Sequence, residues 1–199
     1  MIKAIFFDSG DVVVKEGFTP GIIEFETAHG LPKGSVYAVA HDQPYWREFT
    51  LGHITEEEYF NSIKEKLSKK LNINELKKSI DNNFSSNDEL LTFLKTLKGK
   101  YILGIISNHP KEWFSRCVVR FGWSEIFSVY AVSGELHVRK PDKQIFEKAL
   151  NKAKILGQEC VYVDNRGDRV EGAESVGMRV IIYKNVNQLK DDLSIILNH

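Results

Sequence analysis

The sequence has few cysteines: Cys117 and Cys160 are its only two in 199 residues. They lie far apart and match no metal-ligand spacing, so the expectation is a pair of buried, inert thiols. Charge of one sign in excess is also missing. Lys plus Arg number 27 and Asp plus Glu number 27, so no bulk field draws nucleic acid or an anionic membrane, and any affinity for anions must be local. No apolar run approaches the roughly 20 residues that cross a bilayer. The opening MIKAIFF lacks the long apolar core and small-residue cleavage site of a signal peptide, which points to the cytoplasm. No internal repeat, low-complexity tract or flexible linker is visible. The six histidines show no ligand spacing.

What is present is an apolar content of 42%, enough for one α/β domain or a smaller one carrying an insertion. Short apolar runs recur as AIFF (4–7), YILGII (101–106), FSVYAV (127–132), CVYV (160–163) and RVIIY (179–183). Each is rich in β-branched or aromatic residues and reads as a buried parallel strand. Helical patterns at 110–121, 142–153, 168–175 and 187–197 alternate with the later runs. Right-handed crossovers then cover both sheet faces, giving a doubly wound, Rossmann-like parallel sheet of about five strands.

Between Lys15 and Ser86 no strand pattern occurs. TPGIIEFETAHG carries apolar residues at 22, 23 and 25 and stops at Gly30. Thr55-Glu-Glu-Glu58 forms a capping box that opens a helix through about Leu71, and Ser86-Asn-Asp-Glu89 forms another that opens a helix ending near Gly99. The expected organisation is a core made of residues 1–14 and 87–199, with an all-helical cap over 15–86.

Ligands of an open parallel sheet gather beyond the carboxyl ends of its strands, and that is where this sequence keeps its chemistry. Asp8 follows AIFF, Ser107 and Asn108 follow YILGII, Lys140 comes several residues after the third run, and Asp164 with Asn165 follow CVYV. Each also has a plainer reading. Asp8 could form a turn, Ser107 and Asn108 could cap the helix that Pro110 begins, and Lys140 could be a solvated lysine. Arg166, Asp168 and Arg169 read as a solvated, mutually paired run, and Tyr45, Trp46, Arg47 and Phe49 could face the substrate, although aromatic residues at such spacing more often pack the cap's own core.

FFDSGDVVV, IISNHP, VRKPDKQIF and VYVDNRGDRVEGAESVGM together resemble, in order and spacing, the four motifs of the haloacid dehalogenase superfamily, in the subgroup with a helical cap after the first strand. The resemblance implies a phosphatase of small phosphorylated metabolites. In it Asp8 is the nucleophile, forming an aspartyl-phosphate that water later cleaves. Lys140 neutralises Asp8 and the transferring group, and Pro141, at the first helical position, fixes where that lysine is presented. Ser107 and Asn108 hold phosphoryl oxygens, and Mg²⁺ is held by Asp8, the Gly10 carbonyl, Asp164 and Asn165. It further implies no nucleic acid or membrane partner, and a monomer or homodimer. The sequence departs from the pattern where Gly10 replaces the usual second acid, where Asn165 replaces a metal-binding acid, and at Arg169. Loss of the second acid should slow poor leaving groups most, and the uncharged Asn165 should weaken Mg²⁺. Two alternatives stay open: a metal-independent hydrolase of the dehalogenase kind, and a degenerate member that binds without catalysis.

Overall fold

The computed structural model describes residues 1–41, 44–67 and 71–198. Along the chain come β1 (Ala4–Phe7), β2 (Val14–Lys15), α1 (Phe18–Ala28), α2 (Ser35–Ala40), α3 (Tyr45–Thr50), α4 (Glu56–Lys66) and α5 (Ile73–Asn83). Next are β3 (Ser85–Ser86), α6 (Asp88–Leu97), β4 (Ile102–Ser107), α7 (Lys111–Arg120), β5 (Val129–Val132), α8 (Ser133–Leu136) and α9 (Lys143–Ala153). The chain closes with β6 (Cys160–Asp164), α10 (Glu171–Ser175), β7 (Arg179–Ile182) and α11 (Val186–Leu197).

Five strands form one parallel sheet in the order β5-β4-β1-β6-β7. β1 is central, with Phe7 opposite Ile105 on one side and Val163 on the other. The winding reverses at β1, so its carboxyl end is the crevice of the fold. Alternation along the strands sends side chains into two separate cores. Ile5, Phe7, Leu103, Ile105, Val161 and Val163 pack on one face, and Ala4, Phe6, Ile106, Cys160 and Tyr162 on the other. The expected doubly wound sheet is therefore present, and both cysteines are buried free thiols.

Every helix from α1 to α5 lies between β1 and β4 in sequence. What sequence periodicity missed is a short antiparallel pairing, Val14 with Ser86 and Lys15 with Ser85, where the chain leaves and rejoins the sheet. Two residues give no alternation to detect. α1 and α5 pack closely because Gly21 has no side chain: a Cβ there would stand 2.4 Å from Ile80 Cα.

Some boundaries differ from expectation. The Thr55 box forms as drawn, with the Thr55 hydroxyl accepting from the Glu58 amide and Glu58 accepting from the Thr55 amide. Its helix stops at Lys66 rather than near Leu71; residues 68–70 of that expected helix lie outside the described residues. The second helix is capped by Asn87, whose side chain accepts from the Leu90 amide, because Ser86 is drawn into β3. Pro141 is not the first helical residue either. Asp142 caps α9 by accepting from the Gln144 amide, which displaces the helix start to Lys143.

Candidate active site

β1 delivers Asp8 directly from its last residue, with the Asp8 amide donating to the Val163 carbonyl at 2.8 Å. The chain then folds back at once. The Val13 and Val14 amides both donate to the Ser9 carbonyl at 2.9 Å, and Asp11 takes a left-handed conformation with φ 56°. A strand that ends on an acid and reverses within three residues leaves that carboxylate at the sheet's edge, yet only 2% exposed. Burial raises the Asp8 carboxyl above its ordinary value against the pull of Lys140, and the nearby Asp164 raises it further.

Lys140 is the cation between the two acids. Its side chain is fully buried, with Nζ 2.8 Å from Asp8 Oδ1 and 2.7 Å from Asp164 Oδ2. It also donates to the Tyr162 hydroxyl at 2.7 Å, which in turn donates to Asp164 Oδ2 at 2.6 Å. Charges this deeply buried are tolerable only when paired and hydrogen-bonded, and this set meets both conditions. Tyr162 was not singled out from sequence, although a residue two places before Asp164 on one strand points to the same face. Asp164 Oδ1 accepts from the Arg166 amide at 2.9 Å, which fixes the carboxylate's second edge.

On the β4 side the carboxamide of Asn108 is occupied at both ends by the Lys140 main chain. Its Oδ1 accepts from the Lys140 amide at 2.8 Å, and its Nδ2 donates to the Lys140 carbonyl at 3.0 Å. Asn108 thus positions the lysine segment, and Ser107 supplies the side-chain hydroxyl. Ser107 Oγ lies 2.5 Å from Ser9 Oγ, which lies 3.3 Å from His109 Nδ1. His109 is 6% exposed and its Nε2 has no partner. Burial, reinforced by Arg116 and Lys140, pushes its pKa down to about 4, so the ring is neutral near pH 7.

Asp8, Gly10, Ser107, Asn108, His109, Asn165 and Arg169 line one cleft of about 240 Å³. Lys140 and Asp164 sit behind its floor, with Lys140 touching Asp8 from within and Asp164 holding Lys140. The outer wall comes from the helices between β2 and β3, through Phe18, Tyr37, His41 and Trp46. The aromatic segment thus divides: Trp46 stacks on Phe18 with ring centres 4.5 Å apart and faces the cleft, while Phe49 is fully buried in the core.

The polar residues flanking the motifs are spent locally. Asp11 Oδ1 accepts from the Glu16 amide. Glu16 accepts from the Phe18 and Thr19 amides at the start of α1, and burial raises its carboxyl above the ordinary range. Arg166 and Asp168 form the exposed pair that their spacing suggested, at 2.7 Å. Arg169 does not join them; its guanidinium turns inward and stands 4.0 Å from Asp8 Oδ2.

The donor set suits a hard divalent cation. Two carboxylates are present, and Asn165 Oδ1 is a buried oxygen on the cleft without a hydrogen-bond donor. Such an orphaned acceptor costs free energy unless a donor or a cation meets it. Among the described residues no three His, Cys, Asp or Glu side chains come together as a metal-holding cluster, here or elsewhere, so a cation in this cleft would rest on two carboxylates and uncharged oxygens. Nor is any helix among them long and apolar enough to cross a membrane.

A family model described as haloacid dehalogenase-like hydrolase matches residues 44–183. Drimenol cyclase of Aspergillus calidoustus is 25% identical over 98% of this chain, which spans 36% of that longer protein. A flavin mononucleotide hydrolase of Arabidopsis thaliana is 24% identical over 97% of this chain and 77% of its own length. A HAD family enzyme of Bacteroides thetaiotaomicron, solved with magnesium and inorganic phosphate, superposes with a TM-score of 0.81 at 18% identity, covering 95% of this chain and 99% of that one.

Proposed function

Since this chain belongs to the haloacid dehalogenase-like hydrolase family, we propose that it is a Mg²⁺-dependent phosphatase of a small phosphorylated metabolite, with Asp8 as nucleophile. The observation that carries this reading is Lys140 Nζ held within 2.8 Å of Asp8 and 2.7 Å of Asp164 at the open end of the sheet. Asp8 Oδ1 is engaged by Lys140 and by the Ser9 amide, which leaves Oδ2 to attack. Oδ2 bonds to phosphorus as the bond to the leaving oxygen breaks, giving an aspartyl-phosphate and an alkoxide that takes its proton from water; water then cleaves the acyl-phosphate to release inorganic phosphate and restore Asp8. Ser107 and the Asn108 segment hold phosphoryl oxygens, and Lys140 orients Asp8 and favours its charged form against the effect of burial. Asp8, the Gly10 carbonyl, Asp164 and Asn165 would hold Mg²⁺, which when bound supplies charge relief to the transferring group. Helices α1 to α3 act as a cap, because their side chains form the outer wall.

Two resemblances support this reading. One relative is named as a hydrolase of flavin mononucleotide, itself a phosphomonoester, and the Bacteroides enzyme was solved with magnesium and phosphate. With Mg²⁺ and an activated aryl phosphate, the wild-type protein should turn over and Asp8→Asn should not. Undiminished hydrolysis by that variant refutes the assignment. Chelation by EDTA should also stop turnover, and hydrolysis that continues in EDTA removes the metal from the scheme.

A further inference from the structure

Arg139 also lines the cleft, a charge that the phosphoryl site does not use. Lys140 reaches Asp8 and Asp164, but the adjacent Arg139 reaches the helical segment, where one guanidinium N–H donates to Thr50 Oγ1 at 3.0 Å. A hydroxyl satisfies one of five donors and none of the charge. Among the described residues no carboxylate lies within ion-pair distance of Arg139. Its charged neighbours are like itself. Burial lowers its pKa, and Arg47 and Arg169 lower it further.

The acids on the same cleft are already committed. Asp8 is held by Lys140, Asp11 by the Glu16 amide, and Glu16 by the amides that open α1. The cations that bear on Asp8 are Lys140 and Arg169, which leaves Arg139 outside the nucleophile's own charge balance. A half-buried guanidinium with no counter-ion and two like charges nearby is unfavourable in the free protein, and an arriving anion reverses that cost. Its planar fork suits a carboxylate or phosphate in two-point contact.

We propose that Arg139, with Arg169 beside it, forms a second anion subsite, so that the substrate is a phosphomonoester bearing another anionic group, a carboxylate or a further phosphate. The fate of the first phosphoryl group rests on the phosphatase reading; binding of the second anion does not.

The test is a series of ω-carboxyalkyl phosphates of increasing chain length, each paired with the alkyl phosphate of equal length, with α,ω-diol bisphosphates as a second arm. In the wild-type protein kcat/KM at one best length should favour the doubly anionic member by about 10- to 100-fold, as expected for hydrogen bonds to a charged group. The arm with the larger preference identifies the second group as carboxylate or phosphate. In Arg139→Gln that ratio should fall toward one, and Arg139→Lys should restore part of it. A structural tie to Thr50 would not make the ratio depend on chain length. No preference at any length, or one that survives Arg139→Gln, overturns the subsite. The wild-type comparison needs no variant, so a poorly folding Arg139→Gln leaves the proposal exposed. If no ester turns over, titrating Asp8→Asn with the same series by tryptophan fluorescence decides: preference there means that only the phosphatase reading fails, and its absence sinks the subsite.

Discussion

At position 10 a Cβ would meet a single atom within 4 Å, Glu16 Cγ at 4.0 Å. The site can therefore accept the acid whose place the glycine holds. In Gly10→Asp a carboxyl would stand two residues from the nucleophile, where the family keeps its proton donor. Turnover of an alkyl phosphate should rise on the order of 10²-fold, and that of p-nitrophenyl phosphate, whose leaving group needs no proton, much less. Steady-state kinetics on the two esters measure this, and an unchanged alkyl rate means proton donation is not limiting. His109 makes a different prediction. Its pKa is about 4 in the fold against 6.5 unfolded, so the unfolded chain binds more protons between those values and stability rises with pH across that window. As pH falls from 6.5 to 4, His109 should remove up to about 3 kcal/mol of stability. Urea melts at pH 7 and 4.5 should show the loss, and His109→Asn should flatten it; an equally steep slope in the variant assigns the effect elsewhere.

Among the secondary-structure elements, the sheet strands are legible because each is a short, β-branched or aromatic run, with β1 and β6 buried along their whole length. β1 was read at Ala4–Phe7 and stands there. Helix starts were legible where a side chain could only cap, as at Thr55, and misread where two polar residues competed, as at Ser86 and Asn87. Contacts between distant elements left no trace in the sequence. The Trp113 indole and Arg116 on α7 both reach Glu56 on α4, at 2.6 and 2.7 Å. The turn after α3 abuts α8 even more closely. Gly52 has φ +70°, and a Cβ there would lie 2.1 Å from the Gly134 carbonyl oxygen. Gly52→Ala should cost roughly 1–3 kcal/mol by strain and overpacking. Thermal melts of the variant would show the loss, and an unshifted midpoint would mean that this contact yields freely.

For the molecule as a whole, the order of strands and motifs was enough to foresee a doubly wound sheet with its chemistry beyond the carboxyl ends. Asp8, Ser107, Lys140 and Asp164 could be foreseen as neighbours because each follows a strand. The cleft's other half could not. Arg139, Ser9 and His109 matter through side-chain direction, which spacing does not encode, and Arg169 reads as one of a solvated, mutually paired run whereas the turn at Gly167–Arg169 aims it at Asp8. The two-residue pairing of β2 with β3 carries a kinetic consequence. β1 and β4 are neighbours in space but are separated along the chain by α1 to α6, the first five of them between β2 and β3, and the entropy of closing that excursion grows only logarithmically with its length. With Lys15 already facing Ser85, the excursion is closed by its own ends. Only α6 then separates the central strand from its parallel partner, so assembly should proceed from the helices inward, the sheet zipping last.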